Sequence, residues 1–450
     1  MGITRLTRRG VLRLGLGTAS ATLVSGLLAA CGPAPAGNPP TATGATGRVL
    51  FLSTQFKPVE EDERMRRALL NSFPGRVEYR PDDVTPFNER IRAEGQAGRP
   101  TISLIGGQHG DFATFARDGL LQDLTPLLAR LGDRGFPTAL TELARFGTHK
   151  HFYIPWFQAT YLMVARKEAL PYLPPGASID ALTYAQWTEW GAALARATGG
   201  RRVGLPGGPK GLLARFIHGY LYPAYTRSAG VTAFRSAEAA QMWSAFKELW
   251  GVVHPQSTGY EFMQEPLASG DVWIAWDHVA RLGGALNSRP DDFVVFPAPV
   301  GPRGRGFVTI IGGLAIPKGA PNVVGAEQLI DHLTRPAQQL AMLRELAFFP
   351  VTNASVPPDL PGAVQREADA VAQQAASADG VPTLLPVGLG TQTEAFNRLY
   401  LDTFTRIVLK NEPIGQVLDE GARTLQTLLN AAQAPCWSPD PLTNGPCVVQ

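Results

Sequence analysis

The apolar positions of this chain form two patterns that alternate along most of its length. Short continuous apolar runs, such as residues 49–52, 101–105 and 293–296, predict buried strands. Stretches with apolar residues three or four positions apart predict amphipathic helices, and two of these, at 396–407 and 414–429, close the patterned part of the chain. Strands that alternate with helices are typical of an α/β protein.

Glycine pairs and capping residues indicate where several elements end. The glycine pair at 106–107 should end the second strand, and Asp111 should cap a helix that runs to about Arg117. A second glycine pair, at 312–313, should break the apolar run of residues 310–316. Both pairs are therefore expected at element boundaries.

A capping box predicts the start of a helix in the middle of the chain. Thr183 is followed three residues later by Gln186, the spacing at which each side chain reaches the other residue's backbone N–H. The helix that follows should bury Trp187, Trp190 and Leu194.

The first 31 residues differ from the rest. Four arginines and no acidic residue precede the apolar run 14–28, which is too short and too weakly apolar for a membrane span and is typical of a removed signal. Residues 28–31, Leu-Ala-Ala-Cys, resemble a bacterial lipobox, which implies a signal peptide over 1–30 and a lipid on Cys31 that holds the protein at the outer face of the cell membrane. Residues 7–13 also resemble a twin-arginine signal. A plain buried cysteine and an ordinary basic leader are the alternatives.

Removal of this segment changes the charge balance. The whole chain has 41 Lys and Arg against 38 Asp and Glu, and four of the basic residues precede Cys31, which leaves 37 against 38. No sizeable basic cluster remains to neutralise phosphates, so nucleic acid is excluded as a partner.

Length and composition predict the domain organisation. Residues 31–47 consist of small residues, proline and asparagine after the cysteine, and are expected to form a flexible tether. The remaining chain of about 400 residues exceeds the size at which one core keeps growing, so two lobes are expected. Cys436 and Cys447 lie in the Pro-rich tail 433–450 of an exported chain, where a disulfide between them is plausible and free thiols are the alternative.

Catalytic motifs are scarce. The sequence has no G-x-S-x-G, H-E-x-x-H, P-loop or G-x-G-x-x-G pattern. Ser244 and Lys247 form an isolated S-x-x-K inside a helical pattern, and His149 and His151 lack further ligands for a metal. We therefore expect neither a cofactor nor an enzymatic site.

Aromatic residues near chain breaks point to a different chemistry. They are accompanied by polar side chains, and the combined set is Trp156, Tyr161, Tyr222, Tyr225, Trp276, Gln158, Lys210, Asp277 and His278. An aromatic face can cover the apolar face of a pyranose while polar groups bind its hydroxyls. The sequence therefore predicts a sugar site.

Five blocks in order resemble family 1 extracellular solute-binding proteins. They are residues 111–128, 151–167, 267–277, 312–320 and 326–339. The resemblance implies a periplasmic-binding-protein-like fold of type II, in which two α/β lobes joined by hinge strands close on one small-molecule solute and present it to an ABC permease. It places the first lobe at 48–154 plus 309–346 and the second at 155–308 plus 347–432. We expect a monomer.

The resemblance also implies the ligand-contacting positions. Carried over, these are Gln55, Gln108, His109, Asp111, Trp156, Tyr161, Lys210, Trp276, Asp277, His278, Gly312, Gly313 and Phe349. The two glycines are expected to let the backbone approach the ligand. Where many sugar-binding relatives have a tryptophan this chain has Ala280, so stacking is expected from Trp156 or Trp276.

Two other functions fit the same residues. The fold could take a polyol phosphate, a polyamine or a peptide; Lys210 and Arg281 would favour an anionic group. A glycan hydrolase would need two facing carboxylates, and Asp111 with Asp277 is the pair that the sequence offers.

Overall fold

The computed structural model describes residues 47–355 and 357–450. The predicted signal segment, Cys31 and tether residues 32–46 lie outside this part of the chain. No helix within it is long and apolar enough to cross a membrane.

In the described part of the chain, ten strands form two separate sheets. They are β1 (Val49–Ser53), β2 (Val77–Pro81), β3 (Leu104–Gln108), β4 (Ile154–Ala159), β5 (Tyr161–Arg166), β6 (Val203–Gly204), β7 (Ile274–His278), β8 (Phe293–Phe296), β9 (Arg305–Ala315) and β10 (Gly380–Leu384).

Sixteen α-helices surround the sheets. They are α1 (Val59–Arg64), α2 (Val84–Gln96), α3 (His109–Arg117), α4 (Thr125–Arg130), α5 (Thr138–Leu143), α6 (Tyr184–Thr198), α7 (Leu213–Phe216), α8 (Tyr222–Thr226), α9 (Ala237–Trp250), α10 (Gln264–Ser269), α11 (Val279–Ser288), α12 (Val323–Leu333), α13 (Pro336–Leu346), α14 (Gly362–Ala375), α15 (Thr393–Phe404) and α16 (Ile414–Ala432). Four of them, α1, α7, α8 and α15, adjoin π-helical turns, which are Met65–Leu70, Ile217–Leu221 and Thr405–Leu409.

The first sheet has the order β10-β9-β3-β1-β2, with β4 also paired to β9, and we call it and its helices the first lobe. Strand β1 runs parallel to β2 and β3, whereas β9 runs antiparallel to β3 and β4. Alternate residues of β1 pack into hydrophobic clusters on opposite faces of the sheet. A strand buried on both faces requires helices on both sides, as in other α/β folds.

The second sheet has the order β6-β7-β5-β8 and forms the centre of the second lobe. Only Thr160 separates β4 of the first sheet from β5 of the second, so the chain crosses between lobes there. The Thr160 hydroxyl donates to the carbonyl of Val308, 2.6 Å away, on β9. Residues 158, 311 and 349 lie side by side, because Gln158 pairs with both Ile311 and Phe349. Two α/β lobes joined by adjacent crossing segments confirm the predicted fold class, while the lobe boundaries stay a prediction.

Three predicted boundaries are wrong. Both glycine pairs lie inside continuous strands, β3 and β9, and do not end them. The N-cap of α3 is Gln108, and Asp111 is the third helical residue, whose carboxylate accepts from the Gln108 backbone N–H. At both glycine pairs, side chains of neighbouring segments occupy the space that a Cβ would need, so the strand continues through the glycines.

Candidate functional site

The first wall of the candidate site follows β1 and includes the start of α3. The Thr54 hydroxyl donates to Oδ2 of Asp111 over 3.2 Å, and the Gln108 backbone N–H donates to the same oxygen over 2.9 Å. Nε2 of Gln55 donates to Oγ1 of Thr54 over 2.8 Å. These contacts fix the Asp111 carboxylate in the first turn of a helix, where the helix dipole favours negative charge.

The Asp111 carboxyl is within electrostatic reach of a basic residue of the second lobe. Burial raises the pKa of this carboxyl, while the hydrogen bonds from Gln108 and Thr54 and the charges of Arg215 and Lys57 lower it, with a net rise. Arg215 belongs to α7 of the second lobe. The two lobes therefore bring opposite charges within electrostatic reach at this point.

The second wall is built on Tyr161, the first residue of β5. Its ring stacks on Trp276 with centroids 4.7 Å apart and meets the ring of His278 edge-on at 5.1 Å. Nη1 of Arg215 donates to the Tyr161 hydroxyl over 2.7 Å. The phenol thus holds the guanidinium on the side of the second lobe that faces Asp111.

Acidic groups of the first wall face basic groups of the second. In three pairs the charge of a basic residue lowers the pKa of an acidic one: Arg281 that of Glu61, Lys210 that of Asp83, and Arg215 that of Asp111. Burial raises the pKa of Glu61 to about 7 against the opposing effect of Arg281. The hydrogen bond and charge of Lys57, with a smaller effect of Lys210, keep the pKa of Asp83 below its usual value. The walls therefore carry complementary charge.

An aromatic cluster lies between the walls, beside the crossing segments. The Phe348 ring lies 5.0 Å from that of Phe56, 4.6 Å from Phe157 and 5.5 Å from His278, measured between centroids. Phe56 adopts the left-handed backbone region, with φ of 55°, where non-glycine residues are uncommon. This conformation accompanies the turn from β1 toward the cluster.

Both indoles that we expected to stack on a sugar are fully buried. The rings of Phe51, Phe56 and Phe157 surround Trp156, and those of Tyr161, Phe216 and Tyr220 surround Trp276. Protein rings thus take the contacts that a pyranose was expected to make. Each indole lies on a strand that is covered on both faces. For this reason Trp156 and Trp276 lie behind the walls and do not form the exposed stacking surface that we expected.

His109 also lies behind the first wall. Its Nδ1 is 2.9 Å from the Tyr153 hydroxyl, and its ring stacks on Phe146 with centroids 4.9 Å apart. Burial lowers the pKa of His109 to about 4, so the ring is neutral at physiological pH. Its contacts are those of a packed side chain rather than of a group in the cleft.

Asp277 organises the second wall from within. Its Oδ2 accepts from the backbone N–H of Met263 over 2.8 Å and its Oδ1 from that of His278 over 2.7 Å. Burial raises the pKa of Asp277 to about 6, partly offset by Arg281. With both oxygens bound to backbone, this carboxylate does not face Asp111 as a hydrolase pair would require. His278 caps α11, because its Nδ1 accepts from Ala280.

The glycine pair of β9 makes room for protein rings instead of a ligand. A Cβ at Gly312 would lie 2.4 Å from the Phe157 ring, and one at Gly313 would lie 2.4 Å from the Tyr153 ring. Phe349 packs against the cluster of Leu343, Leu360 and Val364. At these two glycines, protein rings occupy the space in which we expected a ligand to approach the backbone.

The structure brings six of the predicted residues to the two walls. They are Gln55, Gln108 and Asp111 on the first lobe, and Tyr161, Lys210 and His278 on the second. Lys210 is exposed, while Gln108 and Asp111 are partly buried. Their role in binding stays a prediction.

Sequence reasoning missed several residues at the same place. These are Thr54, Phe56, Glu61, Arg215 and Phe348. Arg215 follows a Gly- and Pro-rich loop, 206–211, and this loop-to-helix position was the available signal. For Glu61, the sequence shows only an acidic first turn of a helix, which is common in helices and does not indicate a binding site.

The other motifs have structural roles. His151 lies 3.1 Å from the Thr125 hydroxyl and accepts from Nε of Arg145 over 3.0 Å, as in a hydrogen-bonded loop. Over 47–355 and 357–450, no three His, Cys, Asp or Glu side chains are grouped as metal ligands would be. Cys436 and Cys447 are joined by a disulfide, with Cα atoms 4.6 Å apart.

Comparison with known proteins agrees with this architecture. The family model for bacterial extracellular solute-binding proteins matches residues 77–340, which is more than half of the chain. No curated protein matches the sequence significantly.

Solved structures share the fold at low identity. Maltose-bound MalE3 of T. maritima is 18% identical with a TM-score of 0.68, and the match covers 85% of this chain and 100% of that one. UgpB from Mycobacterium tuberculosis, in complex with glycerophosphocholine, is 18% identical with a TM-score of 0.66 over 86% and 99%. The GacH receptor of Streptomyces glaucescens, solved unliganded and with acarbose, is 16% identical with a TM-score of 0.66 over 85% and 98%. At these identities the likeness concerns the fold alone.

Proposed function

Because the chain belongs to the bacterial extracellular solute-binding proteins, we propose that it is the receptor of an ABC importer and captures a sugar or oligosaccharide between its lobes. The observation that carries this proposal is the pair of polar walls. Asp111, held by Thr54 and Gln108, faces Arg215, held by Tyr161.

The chemistry of the walls suits hydroxyl groups. A carboxylate accepts hydrogen bonds and a guanidinium donates them, so a polyol placed between Asp111 and Arg215 can do both at once. Bonds to charged groups are the stronger class, worth about 1.5 to 3 kcal/mol each. Maltose and acarbose, named for two of the structural neighbours, are carbohydrates, which agrees with this choice of solute.

Closure of the lobes is the proposed mechanism. A ligand that touches both walls makes its full set of contacts only when the gap is narrow, so it shifts the equilibrium toward the closed form by its differential affinity. The chain forms and breaks no bond in this process. The closed, loaded form is then presented to the permease, and a lipid on Cys31 keeps it near the membrane.

The proposal predicts saccharide binding that depends on the two facing charges. Titration with mono- and oligosaccharides, followed by intrinsic tryptophan fluorescence and calorimetry, should reveal a ligand, because Trp156 and Trp276 lie directly behind the walls. Asp111→Asn or Arg215→Gln should each weaken binding by about tenfold or more, as expected for loss of about 1.4 kcal/mol or more.

Arg289→Gln serves as the matched control for these variants. Arg289 lies on the second lobe, pairs with Asp292 and is largely exposed, so its replacement should leave affinity unchanged. Mass spectrometry of the released ligand should return the saccharide intact. A panel in which no saccharide gives a signal, or in which the released saccharide is cleaved, would contradict the proposal.

A further inference from the structure

Among the described side chains, two arginines of the second wall form no ion pair within 4.0 Å of a carboxylate. They are Arg215 on α7 and Arg281 on α11, and both are partly exposed. Burial, and then the charges of these two guanidinium groups, lower the pKa of His278. The His278 ring meets the ring of Tyr161, to which Arg215 donates, edge-on with centroids 5.1 Å apart.

Both guanidinium groups are held in place by uncharged contacts. Arg215 donates to the Tyr161 hydroxyl over 2.7 Å. The Cζ of Arg281 lies 4.4 Å above the Phe262 ring centroid, and its Nη1 points to the Glu261 carbonyl at 3.5 Å. A guanidinium has five N–H donors, so each arginine keeps most of them for another acceptor. Because the side chains are already ordered, binding costs them little further entropy.

The acidic groups near these cations are bound to other groups or only partly charged. Asp111 accepts from Thr54 and Gln108, and Asp83 forms an ion pair with Lys57 at 2.7 Å. Asp277 accepts from two backbone N–H groups, and Glu61, with a pKa of about 7, carries only part of a charge near neutral pH. The N–H donors of both arginines therefore remain available to an acceptor between the walls.

We propose that the solute is an acidic saccharide, whose carboxylate or phosphate group binds between Arg215 and Arg281 beside His278. This inference rests on the proposed function and narrows its ligand class. The planar fork of a guanidinium matches an oxyanion with two parallel hydrogen bonds, which a hydroxyl cannot reproduce. Carboxylate and phosphate share this chemistry.

Matched neutral and acidic saccharides test the inference. Calorimetry would compare glucose with glucuronate and glucose 6-phosphate, and maltotriose with trigalacturonate. The acidic member of a pair should bind at least about tenfold more tightly, and the advantage should shrink as ionic strength rises. Preference for glucuronate or for glucose 6-phosphate distinguishes a carboxylate from a phosphate ligand.

Arginine variants test whether Arg215 and Arg281 bind the acidic group of the saccharide. Arg281→Gln should weaken the acidic saccharide by about tenfold or more and the neutral one by less than about threefold, whereas Arg215→Gln, which also removes a donor to hydroxyl groups, should weaken both and the acidic one more. Arg289→Gln should change neither. The melting temperature of each variant confirms that it is folded.

The outcomes separate this inference from the proposed function. Neutral saccharides that bind as tightly as acidic ones, or arginine variants that weaken both equally, would overturn the inference and leave the sugar receptor standing. Binding of glycerol 3-phosphate, but of no saccharide, with loss in both arginine variants would support the oxyanion site and overturn the sugar. No binding by any of these compounds would overturn both.

Discussion

Glu367 shows how one buried side chain can make the stability of the whole chain depend on pH. It lies on α14 with almost no exposed surface, and its Oε1 has no hydrogen-bond partner among the residues that the structure describes. Burial raises its pKa from 4.5 to about 8, against the opposing charge of Arg366. Between these two values the folded chain keeps a proton that the unfolded chain releases, so stability falls as pH rises through this interval.

Glu367→Gln should therefore stabilise the protein at alkaline pH and have little effect near pH 5. A pKa raised from 4.5 to about 8 corresponds to at most about 5 kcal/mol at about 1.4 kcal/mol per pH unit. Calorimetric melting between pH 5 and 9 measures the effect. Asp369→Asn, on an exposed turn of the same helix, is the control and should show no such pH dependence. An equal shift of both variants at every pH would refute the assignment.

At the residue scale, the sequence locates the crossing segment at residues 348–349 but not the side chain that turns to the aromatic cluster. The sequence pointed to Phe349 and His278; His278 does contact the aromatic cluster between the walls, but its partner there is Phe348 and not Phe349. Successive residues of an extended chain point to opposite sides, so an error of one position places a side chain on the wrong face. No local pattern distinguishes the two sides of a strand that is buried on both.

Helix starts are local events, and the sequence predicts the start of α6 correctly, although it places the cap of α3 three residues too late. Thr183 is the N-cap of α6: its Oγ1 accepts from the backbone N–H of Gln186 over 3.2 Å, and Oε1 of Gln186 accepts from that of Thr183 over 3.0 Å. All the atoms of this box lie within four residues. The capping box, the start of the helix and the burial of Trp187, Trp190 and Leu194 are confirmed.

Thr183→Ala should lower the free energy of unfolding by about 1 kcal/mol, the usual value of an N-cap hydroxyl. Urea denaturation followed by circular dichroism measures the change. Thr188→Ala is the matched control on the same helix, since its hydroxyl only returns a bond to the Tyr184 carbonyl, and it should change stability by less than about 0.5 kcal/mol. If the two variants lose equal stability, the capping box is not the cause.

Strand ends proved harder to predict than helix starts. Gly106 and Gly313 lie inside strands because rings from distant segments occupy the space above them: Phe51 is 2.9 Å from a Cβ built at Gly106, and Phe112 is 2.9 Å from one at Gly313. Such packing involves partners far along the chain. A glycine pair therefore has the same local appearance whether it ends a strand or lets rings pack on it.

At the scale of the whole molecule, the C-terminal tail belongs to the fold. The Pro-rich tail 433–450 is docked on the protein, because Trp437 is fully buried and Asp440 accepts from Ser228, Thr232 and the backbone of Ala229. These contacts attach the tail to the second lobe after α8. The sequence concealed this because proline and glycine are abundant both in docked tails and in free ones.

The proposed lipid on Cys31 is tested at the scale of the whole molecule. If Cys31 carries a lipid, Cys31→Ser should move the protein from the membrane fraction to the soluble fraction of the native cell, which immunoblotting of separated fractions would show. Replacement of both Cys436 and Cys447 by serine is the control, since these cysteines are joined to each other, and that variant should stay with the membrane. A Cys31→Ser protein that remains in the membrane fraction would disprove the anchor.

Strand β9 has a consequence for biosynthesis. Its eleven residues, Arg305–Ala315, pair with β3, about two hundred positions earlier, in the sheet that β1 begins, and β10 adds to it only at Gly380–Leu384. A ribosome releases the chain from its N-terminus, so the early strands must wait for most of the polypeptide before they find their partners. Such distant pairing slows folding and leaves strand edges unprotected in the meantime. A secretion route that carries only finished, folded cargo would have to allow this delay before export.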